Sequence, residues 1–214
     1  MLLEDIREEL VFYGKQMIHS GLVMHTGGNL SIRDPKSGLI VIKPSSLPYE
    51  TITPEDVPVI DQDGKVIEGK HKASSEWPMH TLIYRNKPHV MSVVHTHSIY
   101  ATACSIADIE IPIIQTGLAI HSSQSIKIVP FEIPGSIELG EKVIEFLSES
   151  NVVLLKNHGP LAIGADINFA YDAACAVEQT ARMFFIAKGL GRCDIIPQIG
   201  IEALRSEDPL QIKR

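Results

Sequence analysis

The sequence predicts an α/β domain with α/β/α layers around a mostly antiparallel central sheet. Short apolar runs suited to strands follow one another closely at 29–32, 39–42 and 57–60, a spacing that favours antiparallel pairing. Stretches with apolar residues at helical spacing flank and separate such runs. The 214-residue chain holds no linker and no repeat, and its 44% hydrophobic content can fill one substantial core, so residues 1–214 are expected to form a single domain.

Leu3, Ile6, Leu10, Tyr13 and Met17 are spaced as the apolar stripe of a helix that Gly21 can end. Strands then follow at 29–32, 39–42 and 57–60, and Asp63-Gly64 supplies a hairpin turn before Val66-Ile67. Ser74 or Ser75 can cap a helix to about Tyr84, with Pro78 tolerated in its first turn. A strand at 90–94 leads to a helix at 98–107, and a strand at 126–129 leads to a Ser136-capped helix at 137–147. Strands at 152–155 and 161–163 flank the turn Asn157-His158-Gly159-Pro160. Asp166 caps a last helix that runs to Gly189, with Ile167, Ala170, Ala174, Val177, Ala181 and Phe184 on one face. Residues 201–214 read as a charged tail without a distinctive pattern.

Nineteen basic against 26 acidic residues leave a net charge of −7, which repels polyanions and provides no basic stripe for nucleic acid. Cys104, Cys175 and Cys193 are odd in number and form no CxxC pair, so they read as thiols of a cytoplasmic protein. Charges interrupt the N-terminus too early for a signal peptide, and no apolar run reaches the roughly 18 residues of a membrane span. Neither nucleic acid nor membrane is an expected partner.

The chemistry is concentrated at strand ends. His95 and His97 close the run Val93-Val94, and residues i and i+2 of an extended segment point to one side. Alone, such a pair also fits two strand-end histidines in solvent. A third imidazole, His158, follows Val152–Leu155 in the same manner, and Glu76 lies at the start of the second predicted helix. Three imidazoles and a carboxylate are a donor set for Zn²⁺ or a similar divalent ion. Thr26-Gly27-Gly28-Asn29 reads as an ordinary turn or as backbone brought close to a ligand. Ser45-Ser46 and Ser74-Ser75 add hydroxyls and helix-end amides, which bind phosphate without a basic cluster. Together these points suggest a small phosphate ester.

Gly27-Gly28-Asn29-Leu30-Ser31, Pro44-Ser45-Ser46-Leu47-Pro48-Tyr49-Glu50, Glu68-Gly69-Lys70 leading to Ser74-Ser75-Glu76, His95-Thr96-His97 and Asn157-His158-Gly159 resemble, in order, the motifs of the class II aldolase/adducin-head family. The resemblance covers about residues 5–190, and the L-fuculose-1-phosphate aldolase branch is the most similar in overall pattern. It implies a metal on His95, His97 and His158 with Glu76 as fourth ligand, one ion per subunit, Zn²⁺ first and Mn²⁺ or Co²⁺ as alternatives. It further implies Glu76 as the catalytic proton carrier, and a phosphate on Gly28, Asn29, Ser45, Ser46, Ser74 and Ser75. The activity implied is reversible cleavage of a ketose 1-phosphate to dihydroxyacetone phosphate and an aldehyde, in a homotetramer that takes a small sugar phosphate.

Two positions depart from the fuculose branch: Thr116 stands where a tyrosine reaches a neighbouring subunit's site, and Ser46 where glycine is usual. Thr116 is shared with the L-ribulose-5-phosphate 4-epimerase branch, which usually has Asp where this chain has Glu76 and an acid/base aspartate where it has Ile120. The methylthioribulose-1-phosphate dehydratase branch and the non-enzymatic adducin head are further alternatives. His121 or Tyr49 is expected to stand in for the absent tyrosine, while His80 is expected to pack or face solvent.

Overall fold

The computed structural model describes residues 1–148 and 150–206. Helix α1 (Glu4–His19) precedes a meander of strands β1 (Asn29–Arg33), β2 (Ile40–Ile42), β3 (Val59–Ile60) and β4 (Val66–Glu68). Then come α2 (Trp77–Asn86), β5 (Ser92–His95), α3 (Ile99–Ala107), α4 (Thr116–His121), β6 (Ile128–Val129) and α5 (Ile137–Phe146). Strands β7 (Val152–Leu155) and β8 (Gly159–Gly164) form a hairpin, followed by α6 (Ile167–Gly189) and α7 (Gln198–Ser206). No helix among the described residues is long and apolar enough to cross a membrane.

All eight strands join one sheet in the order β4-β3-β2-β1-β5-β8-β7-β6. Each neighbouring pair is antiparallel except β6 and β7, which are parallel and are connected through α5, as parallel neighbours require a crossover. The strands alternate between two cores. Val41, Val94, Val152, Leu154 and Ala162 pack on the side of α1, α3 and α6, whereas Ile40, Ile42, Val93, Val153, Leu155, Leu161 and Ile163 pack on the side of α2 and α5. Helices thus cover both faces, which is why the strands read as continuous apolar runs. This is the α/β/α architecture expected from the sequence.

The expected caps form at Ser136, which accepts from Leu139 N–H at 3.1 Å, and at Asp166, which accepts from Phe169 N–H at 2.7 Å. Ser98 stands at the cap position of α3 but its side chain makes no cap bond. Glu178 of α6 does so instead, accepting from the N–H groups of Tyr100 at 3.0 Å and Ala101 at 2.9 Å. Two helices escaped the sequence reading. Six-residue α4 contains Gly117, and α7 occupies what reads as tail, seating Ile201 in the core; only 207–214 of that tail lie outside the described residues. Short helices carry too few turns for periodicity to reveal them. Replacing Glu178 by Ala should cost about 1–2 kcal/mol, the worth of a charged cap at a helix N-terminus, as a lowered midpoint in urea denaturation.

Candidate metal centre

The centre lies where β1, β5 and β8 meet in mid-sheet, with Asn29 directly opposite His95, and His95 opposite Leu161. Within β5, Val93 and His95 share a face, so the packing of Val93 toward α2 sends the His95 ring to the same side. His97 lies two residues on, and its backbone N–H is held by the Leu22 carbonyl at 3.1 Å. His158 is delivered by the β7–β8 turn, in which Asn157 takes a left-handed φ of 59°. Gly159 follows because a Cβ there would overlap the Thr96 carbonyl oxygen. Gly28 is demanded twice: its φ is +63°, and a Cβ would lie 2.5 Å from the His95 carbonyl oxygen.

The His95 Nε2 atom lies 3.1 Å from His97 Nε2 and 3.2 Å from His158 Nε2. His95 Nδ1–H donates to the Pro160 carbonyl at 2.9 Å, so His95 Nε2 is left as a bare lone pair. Burial, then the neighbouring imidazoles His158 and His97, hold His95 well below the usual histidine range. His97 is lowered for the same reasons, burial first and His158 second. Nitrogens bound tetrahedrally at about 2.0–2.1 Å sit roughly 3.3 Å apart. The observed cluster fits one shared divalent ion, which would satisfy lone pairs that otherwise repel.

Glu76 completes the donor set. Its Oε2 lies 3.5 Å from His95 Nε2 and its Oε1 lies 3.5 Å from His158 Nε2. Oε2 accepts from the Asn29 side-chain NH₂ at 2.5 Å, whereas buried Oε1 has no hydrogen-bond partner. A buried acceptor without a donor, facing the His158 ring nitrogen, fits a cation. The residue stands at the cap position of α2 without capping it, so its carboxylate is free to face the imidazoles.

Beside the imidazoles opens a cavity of about 260 Å³ lined by Gly28, Asn29, Ser45, Ser46, Ser74 and Ser75 together with Glu76, His97 and His158. The serine segments are drawn together by backbone pairing: Ser45 N–H donates to the Lys72 carbonyl and Ser74 N–H to the Lys43 carbonyl, each at 2.9 Å. Ser46 holds a left-handed φ of 58°, which explains the glycine usual at this position; its own side chain is exposed. The four expected metal ligands thus lie together, and Gly28, Asn29, Ser45, Ser46, Ser74 and Ser75 lie on the pocket wall.

Lys43 is the residue the sequence reading passed over. It is the only lysine or arginine among the described lining residues, and burial lowers its ammonium to about 8. Its Nζ donates to the Pro44 carbonyl at 3.1 Å and sits 4.7 Å from the centre of the Tyr49 ring. A lysine directly after the run Leu39–Ile42 and before Pro-Ser-Ser was the available signal. Neither suggested stand-in for the family tyrosine lines the pocket. Tyr49 is fully buried beneath Lys43, and buried His121 bonds Asp172 at 3.0 Å and meets the Phe169 ring edge-on. Thr116 is exposed at the start of α4.

Comparison with known proteins agrees with this geometry. The chain is 38% identical over 204 residues, 95% of both chains, to a 5-deoxy-D-ribulose 1-phosphate aldolase of Bacillus thuringiensis serovar kurstaki. It is 35% identical over 202 residues, 88% of this chain and 87% of the other, to an L-ribulose-5-phosphate 4-epimerase of Salmonella paratyphi B. Its fold matches a solved L-fuculose 1-phosphate aldolase with a TM-score of 0.90 at 30% identity, covering 95% of each chain. Residues 8–185 match the family described as the class II aldolase and adducin N-terminal domain, and the chain belongs to that family.

Proposed function

We propose that the protein is a metal-dependent class II aldolase that cleaves a ketose 1-phosphate reversibly to dihydroxyacetone phosphate and an aldehyde. The observation that carries this reading is Glu76, with one oxygen bound by Asn29 and the other unpaired 3.5 Å from His158, on the wall of a serine-lined pocket. His95, His97, His158 and Glu76 would hold a divalent ion, which would supply charge stabilisation for the negative charge that develops on the ketose oxygens. Zn²⁺ is the proposed ion, and Mn²⁺ or Co²⁺ can use the same ligands.

The chain's own groups do the rest. The C4 hydroxyl gives its proton to water, the C3–C4 bond breaks with its electron pair moving to C3, and Glu76, having taken a proton from water, delivers it to C3. Asn29 steadies the carboxylate as it exchanges that proton. The phosphate rests on the Gly28 and Asn29 segment and on Ser45, Ser46, Ser74 and Ser75, with Lys43 supplying the only positive charge on the described wall. The L-fuculose 1-phosphate and 5-deoxyribulose 1-phosphate types share the dihydroxyacetone phosphate half and differ in the aldehyde. A homotetramer in the cytoplasm is proposed from the family resemblance and the unpaired thiols.

The 4-epimerase is the second reading, favoured by Thr116 and by the Salmonella relative. Glu76 in place of aspartate and Ile120 in place of an acidic residue favour the aldolase. Incubating the metal-loaded protein with L-fuculose 1-phosphate, 5-deoxyribulose 1-phosphate and L-ribulose 5-phosphate separates them. Release of dihydroxyacetone phosphate supports cleavage, and formation of D-xylulose 5-phosphate supports epimerisation.

Glu76→Gln should retain about one divalent ion per chain while losing roughly 10²-fold or more in cleavage rate; wild-type turnover in a metal-replete variant would remove Glu76 from the reaction. Lys43 is charged below about pH 8 and neutral above it, so kcat/KM for the phosphate ester should fall as pH rises through that value. Lys43→Arg should abolish this limb, and Lys43→Met should lower kcat/KM about 10- to 100-fold at pH 7, as expected for a lost charged hydrogen bond.

A further inference from the structure

A second polar system lies behind Glu76, away from the pocket. On α2, Glu76, His80 and Tyr84 recur every four residues and so share one face. On β1, Asn29, Ser31 and Arg33 alternate with Leu30 and Ile32, which pack into the opposite core. Four helical residues rise about 6 Å and two strand residues about 6.6 Å. The two rows therefore stay in step as they run side by side, and each helix residue meets its strand counterpart.

Each polar side chain of this system finds at least one partner. Asn29 presents its NH₂ to Glu76 Oε2 and its Oδ1 to His80 Nε2, both at 2.5 Å. His80 Nδ1 lies 2.7 Å from Ser31 Oγ, which lies 2.7 Å from the Tyr84 hydroxyl; that hydroxyl also reaches the Ser31 carbonyl at 3.0 Å. Arg33 closes the far end by donating to the carbonyls of Tyr84, Pro88 and Val90. Asn29 Oδ1 only accepts, so His80 must carry its proton on Nε2 and Ser31 must donate to Nδ1. The direction is then set from Ser31 to His80 to Asn29 to Glu76, and the one Tyr84 hydroxyl proton serves either Ser31 Oγ or the Ser31 carbonyl. His80 and Ser31 are 0% exposed and Tyr84 is 1% exposed, and apolar packing would fill this space at lower desolvation cost.

We propose that His80 is a positioning residue whose Nε2–H fixes the orientation of the Asn29 amide, so that the amide NH₂ faces Glu76 and holds the carboxylate for proton exchange. An asparagine amide alone has no preference between its two ends. Turned the other way, its oxygen would face an acceptor and release Glu76. The inference rests on the reading in which Glu76 carries the proton.

Two measurements test it. In spectra of the metal-free protein labelled with ¹⁵N-histidine, His80 should carry its ring proton on Nε2; a proton on Nδ1 overturns the assignment. In the metal-loaded enzyme, His80→Leu should lower kcat about 10- to 100-fold while KM and metal content stay within about twofold. His80→Gln, whose amide can donate to the same Asn29 oxygen, should recover kcat to within about threefold of wild type. Loss of thermal stability in His80→Leu with kcat per metal-replete chain unchanged would assign the residue to packing alone and overturn the proposal. If His80→Leu does not fold, Ser31→Ala removes the donor that holds Nδ1 and should lower kcat with KM unchanged; an unchanged kcat overturns it. A wild-type protein inactive on every phosphate offered would count against the aldolase reading, and the ring-proton measurement would still decide the orientation.

Discussion

One backbone carbonyl organises the centre. Pro160 at the start of β8 accepts from the Thr96 N–H and from the His95 ring, both at 2.9 Å. The first bond keeps the chain beyond β5 paired to β8, so that His97 and the turn bearing His158 lie side by side. The second fixes the His95 tautomer and leaves its Nε2 bare. The same carbonyl thus sets where the imidazoles meet and which atom His95 offers, and a metal-binding histidine whose other nitrogen is tied to a carbonyl is a better oriented ligand. Gly159 is part of this arrangement, since any side chain there would collide with Thr96.

For a chain of net charge −7, binding of the proposed anionic ester has to be local. The pocket answers with backbone amides, four serines and one buried lysine in place of a basic surface. Burial brings Lys43 to about 8, so its charge comes at a desolvation cost that a bound phosphate would offset. The pairing of 43–45 with 72–74 holds these groups on one wall, and Glu76 follows directly on that segment at the start of α2. The residues proposed for phosphate contact and for proton exchange are therefore adjacent in one turn that leads into α2.

Between β1 and α2 the interior is polar by design of the two repeats, not by accident of composition. Leu30 and Ile32 satisfy one core, and the other side of the same strand gives up apolar packing to Asn29, Ser31 and Arg33. Such a layer is tolerable only because its members find partners, and its specificity follows from the fixed direction of its donors. It links the cap position of α2 to the carbonyls at its C-terminal end, so the helix that carries Glu76 is held along its whole length.

Much of this was legible along the chain. Alternation marked the strands, side-chain caps marked α5 and α6, and His95 with His97, His158 after its strand, Glu76 and the serine pairs marked the chemistry. Periodicity and spacing act within one element, so they determine which residues share a face and which residue types stand at its ends. They do not determine which faces meet. Only the tertiary structure brought His158 and Glu76 to His95, buried Lys43 under the phosphate wall, turned His80 from packing into a hydrogen-bonded link, and folded α4 and α7. The physical reason is that these outcomes depend on strand register and on the stacking of helix against sheet, which arise from contacts between residues tens of positions apart.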